Sequence, residues 1–407
     1  MRILVYPHAM ELGGSQLNAL DLAGALQARG HEVVVYSQAG ELVDTLAGRG
    51  LEHVLAPPGR SCPSAARVAH LRRVLRSRCI DVVHGYEWPP VLEAGAACVG
   101  LPTRVVATVL SMSVAPFLPE AVPLVVGTER IRASCVDSRS GPVVVIEPPV
   151  DVLADRPGAG ERPAPVPGAP VEVAVVCRLV PELKLEGLLT AVDAVGDLPA
   201  DVGSGGVEVR LTIAGDGPAR GLVQARADAV NERCGRPAVR LLGAVADPRP
   251  VYDRADVAVG MGGSALRSIA FARPLVVQGE SGFFELLEPR TLPYFLDRGF
   301  YGVGDRGPEQ AREHLAGLLA DLAGDPARRA TLGEWGRDLA VRRFSLERAA
   351  ALLEGVYALA LDPDASHGAR PGAPARTLVR LADYKLRRHG ARLVGRGSRD
   401  DFNARPV

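Results

Sequence analysis

The chain has 407 residues, of which 47% are hydrophobic, so it is long enough for two α/β domains and too apolar to be disordered. Lys and Arg together number 47, as do Asp and Glu, and this balance gives no reason to expect a nucleic-acid partner. The six cysteines are scattered without a Cys-x-x-Cys pair or a Cys/His cluster. This pattern argues against structural zinc or a redox dithiol and favours a reducing compartment.

The first residues run directly into a strand-like segment and lack the apolar core and small-residue cleavage site of a signal peptide. No window of the sequence reaches the roughly 20 apolar residues that a membrane span requires. We therefore expect a cytoplasmic protein without a transmembrane segment.

The first part of the chain alternates between short apolar runs and amphipathic segments. Residues 3–6 predict a buried strand, residues 15–28 a helix and residues 31–36 the next strand. Such a βαβ unit favours a parallel sheet with covering helices. Further strand-like runs repeat the pattern at residues 80–84, 104–109, 123–126 and 143–146. We predict a doubly wound, Rossmann-like α/β domain over residues 1–152.

A stretch rich in Pro and Gly at residues 153–170 cannot sustain a helix or a central strand, so we predict a hinge there. Alternation then resumes and predicts a second Rossmann-like domain over residues 171–345. Its predicted strands are 171–177, 207–214, 239–242, 257–260 and 275–277, and its predicted helices include 185–194, 219–232, 265–272, 309–323 and 326–342. A last long helix is predicted at residues 346–361.

The tail at residues 362–407 is rich in Pro and Gly as far as Pro374 and then has a helical pattern. Between Arg376 and Arg396 it carries seven Lys or Arg residues and one Asp. One helical face would hold Val379, Ala382, Leu386 and Leu393. Two interpretations remain open: the helix packs on its own N-terminal domain, or it makes a weak peripheral contact with an anionic membrane. We favour packing, because the apolar face is small.

Gly13, Gly14 and Ser15 lie between the first strand and the first helix, where glycine lets the backbone approach a ligand. His8, just before this turn, is a further candidate for substrate contact. The full G-x-G-x-x-G fingerprint is absent, which disfavours NAD binding. A turn that only packs the helix on the strand is the alternative.

His84, Glu87 and Trp88 follow one another at the end of a predicted strand of the first domain. Histidine or glutamate can orient a nucleophile, and tryptophan can stack on a sugar ring. We predict a catalytic role for His84 and substrate contacts for Glu87 and Trp88. Hydrogen-bonded packing of His84 is the alternative.

Arg178 and Lys184 follow the first strand of the second domain, so both cations would project from the carboxyl end of a parallel sheet. A planar guanidinium and a point-charge ammonium together suit a diphosphate. A solvated pair of surface charges is the alternative interpretation.

Two glycine turns follow other strands of the second domain. Gly215 opens a Gly-Asp-Gly-Pro turn, which we interpret as structural first and as a neighbour of a nucleotide second. Gly262, Gly263 and Ser264 precede a predicted helix, where their backbone amides would cradle a phosphate. A tight packing turn is the alternative for these three residues.

Taken in order, these segments resemble the family-four glycosyltransferases with the GT-B fold, and the likeness spans residues 1–361. The matching segments are Gly13-Gly-Ser15 with the run that follows to Val33, Asp81-Val-Val-His84, Cys177-Arg-Leu-Val-Pro-Glu182, Ala214-Gly-Asp-Gly-Pro218, Leu242-Gly-Ala-Val245, Arg254-Ala-Asp-Val257 and Arg343-Phe-Ser-Leu-Glu-Arg348. The resemblance implies two Rossmann-like domains with an interdomain cleft. It also implies retention at the anomeric carbon, no metal and no bound cofactor, with a nucleotide diphosphate-sugar as co-substrate.

The resemblance further implies that Arg178 and Lys184 are catalytic cations that hold the diphosphate, and that helix 346–361 crosses back to the first domain. The resulting donor-site candidates are Gly14, Gly215, Gly262, Gly263, Ser264, Arg267 and Glu285, and the acceptor-site candidates are His8, Gly13, Ser15, Glu87 and Trp88.

The sequence departs from the family where the donor sugar and ribose would bind. The family carries two glutamates separated by seven residues, and neither is present here. The loop at residues 260–264 is shortened, and Arg267 occupies the usual position of the ribose-binding carboxylate. Glu280 and Glu285 are near enough in sequence to replace one of these contacts, or they are only charges at a helix start.

We therefore predict transfer of a sugar from a nucleotide diphosphate-sugar to a small-molecule acceptor, with secondary metabolism as the suggested setting. Three alternatives remain open because the glutamates are missing. They are a sugar-nucleotide epimerase, a transferase that forms a C–S or C–N bond, and a non-catalytic nucleotide-binding protein.

Overall fold

The structure is a computed structural model that describes residues 1–59, 62–158, 169–199, 207–363 and 373–393. The chain divides into two compact units. The first unit comprises Met1–Pro148 together with Leu346–Val407, and the second comprises Pro149–Ser345. The strands and helices below are numbered along the whole chain.

The first unit is built on a seven-stranded parallel sheet in the order β3-β2-β1-β4-β5-β6-β7. Its strands are β1 (Arg2–Tyr6), β2 (Glu32–Ser37), β3 (Glu52–Leu55), β4 (Val82–Tyr86), β5 (Arg104–Val109), β6 (Leu124–Val126) and β7 (Val143–Val145). The chain moves outward from β1 to β3 and then returns to the other side of β1, where Ile3 pairs with Val82. This reversal of strand order is a topological switch point, at which the carboxyl ends of neighbouring strands leave room for a ligand.

Helices cover both faces of this sheet. They are α1 (Gly14–Ala28), α2 (Asp44–Gly48), α3 (Ala65–Ser77), α4 (Trp88–Cys98), α5 (Glu129–Cys135), α13 (Leu346–Leu361) and α14 (Ala373–Leu393), with short 3-10 turns at Glu41–Val43 and Val136–Ser138. Successive strand residues point to opposite faces. Val5 of β1 packs with α1 and α13, whereas Leu4 packs with α3 and α4. Burial on both faces explains the nearly continuous apolar runs of these strands.

The second unit has a six-stranded sheet in the order β10-β9-β8-β11-β12-β13. Its strands are β8 (Val171–Val176), β9 (Val209–Ala214), β10 (Val239–Gly243), β11 (Val257–Gly260), β12 (Leu275–Gln278) and β13 (Phe284–Leu286). Only β13 is antiparallel to its neighbour, and we did not predict this strand. Strand order reverses between β8 and β11, which pair with Val173 opposite Val257, so the switch point of this unit lies between them.

In the second unit, helices lie between successive strands from β8 to β12, and three more follow the last strand. They are α6 (Leu185–Asp197), α7 (Arg220–Cys234), α8 (Arg249–Arg254), α9 (Gly262–Ala270), α10 (Leu292–Arg298), α11 (Pro308–Gly324) and α12 (Pro326–Arg343). Helix α9 begins three residues earlier than predicted, so Gly262, Gly263 and Ser264 form its first turn. With its two parallel-dominant sheets, the structure confirms the predicted fold class of two Rossmann-like domains.

The boundary between the units differs from the predicted hinge. Val150 and Val152 pack in an apolar cluster of the second unit, and Val150 bridges to Ser345. The second unit therefore begins at Pro149, because these valines are buried in its core and are not part of a linker. Residues 159–168 of the predicted hinge lie outside the described residues.

The basic tail forms α14, which packs on the first unit. Its contact face consists of Leu381 and Tyr384, whose ring lies 5.0 Å from that of Phe117, centroid to centroid. Val379 and Leu386 of the predicted apolar face are 68% and 73% exposed. The helix thus packs through the face opposite to the one that the apolar pattern suggested. None of the described helices is long and apolar enough to cross a bilayer.

Candidate functional site

Backbone contacts fasten together the loops that follow β8, β9 and β10 at the carboxyl edge of the second sheet. The Leu179 amide donates to the Asp216 carbonyl at 2.9 Å, and the Gly215 amide donates to the Gly243 carbonyl at 2.8 Å. Gly215 has φ +142°, and a Cβ there would lie 1.8 Å from the Cys177 carbonyl oxygen. The close approach of two backbones therefore requires glycine at this position.

Arg178 and Lys184 lie in the loop between β8 and α6. Arg178 is exposed and Lys184 is half-buried, and neither side chain has a hydrogen bond or an ion pair with any residue that the structure describes. Burial raises the pKa of the neighbouring Cys177 thiol, and the Lys184 ammonium opposes that rise, so its charge lies near the end of β8. By contrast, Arg220 at the next loop is paired with Asp216 at 2.9 Å. Two uncompensated cations thus flank the switch point of this unit.

The first turn of α9 lies on the other side of that switch point, since α9 directly follows β11. The Gly262 amide donates to the Phe300 carbonyl at 2.9 Å, and the Ser264 hydroxyl donates to the Met261 carbonyl at 3.0 Å. A Cβ at Gly263 would meet no atom within 4 Å, so open space surrounds this turn. Backbone amides at the start of a nine-residue helix carry partial positive charge. The arrangement suits an anion.

Arg267, a predicted donor contact, forms an ion pair within the second unit. Its Nε donates to Asp155 Oδ2 at 2.8 Å, and Asp155 is buried. Burial raises the pKa of the Asp155 carboxyl above its ordinary value, and the charge of Arg267 offsets only part of this rise. Arg337 donates to the Asp155 carbonyl at 2.8 Å, so the two arginines fasten the segment before β8 to α9 and α12. The donor contact predicted for Arg267 stays a prediction.

Glu280 and Glu285, the candidate replacements for the missing glutamates, already have hydrogen-bond partners. Glu285 lies in β13 and accepts a hydrogen bond from Arg306 Nη2 at 3.1 Å. Glu280 accepts a hydrogen bond from the Tyr301 hydroxyl. These contacts place both residues in the framework of the loop after β12, and the donor role of Glu285 stays a prediction.

Glu186 in the first turn of α6 is a residue that the sequence reasoning missed. Its carboxylate accepts hydrogen bonds from the Gly282 amide at 2.8 Å and the Ser281 amide at 3.1 Å. It therefore ties the loop after β12 to the helix that follows Lys184. In the sequence, the only sign of this role is that Glu186 lies two residues after Lys184.

In the first unit, the predicted substrate residues meet at the switch point between β1 and β4. The Ser15 hydroxyl lies 3.5 Å from Glu87 Oε1, and His8 Nε2 lies 3.2 Å from Gln16 Nε2. Gly13 caps α1 in an extended conformation, and Gly14 has no atom within 4 Å of a hypothetical Cβ. The structure thus brings the turn at Gly13–Ser15 and Glu87 together in the first unit. Gly14 is the one residue of this turn that we predicted to contact the donor; Gly13 and Ser15 were predicted to contact the acceptor.

Glu87 has a strained backbone, with φ 67° and ψ 171°, in a region that glycine almost alone adopts. Its Oε1 accepts hydrogen bonds from the Leu110 amide at 3.0 Å and the Ser111 amide at 3.1 Å, and its Oε2 accepts one from the Ser111 hydroxyl at 2.8 Å. These hydrogen bonds hold Glu87 in a backbone conformation that costs about 1–3 kcal/mol, and such strained residues are common at functional sites. The carboxylate is nevertheless largely engaged with the loop after β5.

Replacing Glu87 with alanine is expected to lower the free energy of unfolding of the first unit by about 3 kcal/mol, because the buried Ser111 amide and the partly buried Leu110 amide lose their acceptor. Ser15→Ala is the matched control in the same network. Since the Ser15 contact is long and partly exposed, its loss is expected to cost less than about 0.5 kcal/mol. Urea unfolding in a Trp335→Phe background, followed by the fluorescence of Trp88, measures both effects in the first unit. Equal effects of the two substitutions would contradict this assignment.

His84 and Trp88 pack inside the first unit. His84 is fully buried, with Nδ1 2.8 Å from the Tyr357 hydroxyl and Nε2 2.7 Å from Thr108 Oγ1. Trp88 packs edge-on against Phe117 and near Tyr384 of α14. Both nitrogens of His84 are therefore engaged, which favours the packing alternative for this residue. The catalytic role of His84 and the sugar contact of Trp88 stay predictions.

Burial lowers the pKa of His84 to about 3, from an ordinary value of 6.5. The folded unit keeps this ring neutral, while the unfolded chain takes up a proton below pH 6.5, so stability is lost as the pH falls below that value. Between pH 6.5 and pH 5 the native chain is expected to lose about 2 kcal/mol more unfolding free energy than the His84→Gln variant. Urea unfolding at the two pH values tests this, and equal pH slopes would contradict it.

Two family models match the chain. The model described as Glycosyltransferase Family 4 matches residues 12–122, and the model described as Glycosyl transferases group 1 matches residues 170–321. Together these matches cover more than half of the sequence and fall on both units. No curated protein matches the chain significantly.

Solved structures with low sequence identity share the fold. A glycosyltransferase from Rickettsia africae ESF-5 has a TM-score of 0.69 and 14% identity, with 89% of this chain and 99% of that chain covered. Anabaena Alr3699/HepE in complex with UDP has a TM-score of 0.66 and 14% identity, with 88% and 100% covered. Sucrose-phosphate synthase from Thermosynechococcus elongatus has a TM-score of 0.65 and 15% identity, with 88% and 98% covered. These structures show the GT-B fold, and the two family models identify the chain as a family-4-like glycosyltransferase.

Proposed function

We propose that the second unit binds a nucleotide diphosphate-sugar and that Arg178 and Lys184 hold its diphosphate. The observation that carries this proposal is the absence of any partner for these two cations within the described part of the chain. Both lie at the switch point of a parallel sheet, where ligands of such folds bind. By contrast, Arg220 near this edge already has a carboxylate partner in Asp216.

The first turn of α9 supplies the second part of the proposed phosphate site. The Gly263 and Ser264 amides belong to the group that no intrahelical carbonyl satisfies, and the helix dipole favours an anion there. Arginine contributes a planar fork and lysine a point charge. All of these groups stabilise the negative charge that grows on the departing diphosphate, which is the main catalytic contribution we assign to this chain.

UDP is the first candidate for the nucleotide, because solved structures that share this fold contain UDP or UDP together with glucose. The proposal includes a small-molecule acceptor at the first-unit switch point, retention at the anomeric carbon, a reaction without metal, and a setting in secondary metabolism. It also includes a cytoplasmic location, supported by six cysteines that form no disulfide.

Release of nucleoside diphosphate from a panel of UDP-, GDP-, ADP- and dTDP-sugars tests the proposed function. The purified chain is incubated with each donor, with and without sugar and alcohol acceptors, and the products are separated by mass. Selective release of one diphosphate together with a glycosylated product is expected. A change in donor stereochemistry without transfer would instead identify an epimerase.

A non-catalytic nucleotide-binding protein is the second candidate function. The ion pair between Arg267 and Asp155 favours it, because Arg267 stands where the family carries its ribose-binding carboxylate. Tight binding of one diphosphate without hydrolysis or transfer of any donor would support this candidate. Measurable turnover would exclude it.

A further inference from the structure

The first unit contains a cavity of about 270 Å³ beside the amino-terminal part of α14. The loop between β5 and β6, the end of α5 and the short turn that follows it form the rest of its wall. Three arginines line this cavity, Arg139, Arg376 and Arg380, and Glu120 is the one carboxylate among the lining residues that the structure describes. None of these residues belongs to the proposed donor site.

Only one of the three positive charges has a carboxylate partner in the wall of the cavity. Arg376 Nη2 lies 2.7 Å from Glu120 Oε1. Arg380 Nη1 donates to the Pro116 carbonyl at 3.0 Å. A carbonyl oxygen orients a guanidinium but does not cancel its charge. The lining residues therefore keep a net positive charge.

Arg139 is the buried member of this group, with 8% of its surface exposed. Its Nη2 donates to the carbonyls of Pro119 at 2.9 Å and Val122 at 2.8 Å, while its Nε has no hydrogen-bond partner. Burial lowers the pKa of this guanidinium to about 10. A buried cation without a carboxylate partner is costly, so the pocket favours an anionic occupant.

We propose that this pocket binds a phosphate group, carried by a soluble phosphomonoester or by a lipid headgroup. Guanidinium forks match phosphate oxygens in geometry and charge, and Thr377 adds a hydroxyl to the same wall. The volume lies just below the usual range for small-molecule sites, which suits a phosphate with a short organic group. Because α14 supplies two of the arginines, the bound phosphate also fastens this helix to the first unit.

Titration of the full chain with inorganic phosphate, glycerol 3-phosphate and vesicles of phosphatidylglycerol or phosphatidylcholine tests the proposal. The Arg178→Ala, Lys184→Ala background removes the proposed donor site from the measurement. Arg380→Gln is expected to weaken phosphate binding about 10-fold, the equivalent of one charge-assisted hydrogen bond. Arg387→Gln is the matched control on the same helix, since Arg387 is 80% exposed, is paired with Asp383 and does not line the pocket.

Saturable binding of a soluble phosphate, weakened by Arg380→Gln but not by Arg387→Gln, supports the proposal with a soluble source. Binding only to phosphatidylglycerol vesicles, with the same difference between variants, supports it with a lipid source. Arg139→Lys keeps the charge but removes the fork, and we expect it to weaken binding in the same direction. Equal losses in Arg380→Gln and Arg387→Gln would show general surface charge and overturn the proposal, as would the absence of binding.

Discussion

Replacement of Arg178 and Lys184 together by alanine is expected to lower kcat/KM for the donor by about 10³-fold. Each side chain contributes a charge-assisted contact to the diphosphate, worth about 2 kcal/mol in the transition state. Neither side chain has a partner within the described residues, so their removal leaves no buried group unsatisfied. The free energy of unfolding should therefore stay unchanged while the rate of nucleoside diphosphate release falls.

Arg240→Ala is the matched control for this double variant. Arg240 is an exposed arginine of β10, and β9 lies between its strand and β8. Its removal changes the charge of the unit without touching the switch point, and we expect kcat/KM to stay within twofold. Normal turnover in the double variant would rule out the proposed diphosphate site.

The Gly215→Ala substitution is expected to lower the free energy of unfolding of the second unit by about 3 kcal/mol or more. The new Cβ would lie 1.8 Å from the Cys177 carbonyl oxygen, and φ +142° is a conformation that alanine rarely adopts. Relief requires the loops after β8 and β9 to separate, and this separation would also displace Arg178. Urea unfolding in a Trp88→Phe background measures the effect, because Trp335 of α12 then reports on the second unit alone.

Gly221→Ala supplies the contrasting control for Gly215→Ala. Gly221 lies in α7, and a Cβ there meets no heavy atom within 4 Å. Alanine in a helix is expected to raise the free energy of unfolding by about 0.5–1 kcal/mol. We assign the loss of stability in Gly215→Ala to the contact of the new Cβ with Cys177. If both substitutions lowered the stability, the cause would instead be the loss of a glycine, and this assignment would be wrong.

Local patterns in the sequence predicted many of the elements and their type, although β3 and helices such as α3 and α4 were not predicted. Strands such as β5 and β11 have the predicted bounds, because residues buried on both faces give unbroken apolar runs between turns. The same alternation predicted the two Rossmann-like domains. The short antiparallel β13 was missed, since its three residues lie among glycines and charges and gain their pairing only from β12.

The side-chain partners at the candidate site could not be predicted, because they come from distant parts of the chain. His84 is 273 residues from Tyr357, and Arg267 is 112 residues from Asp155. No local pattern indicates such contacts, so the hydrogen bonds of His84 and the ion pair of Arg267 were not predicted. The glycine turns at strand ends were easier to place, since a turn after a parallel strand must lie at the carboxyl edge of the sheet.

The most direct test of the central claim is the thermal stability of the chain with UDP, GDP, ADP and dTDP, in the native form and in the Arg178→Ala, Lys184→Ala form. A ligand that binds only the folded state must raise the melting temperature by mass action. The account predicts that one diphosphate stabilises the native chain selectively and that the double variant loses this stabilisation. Stabilisation that persists in the double variant, or none with any diphosphate, would contradict it.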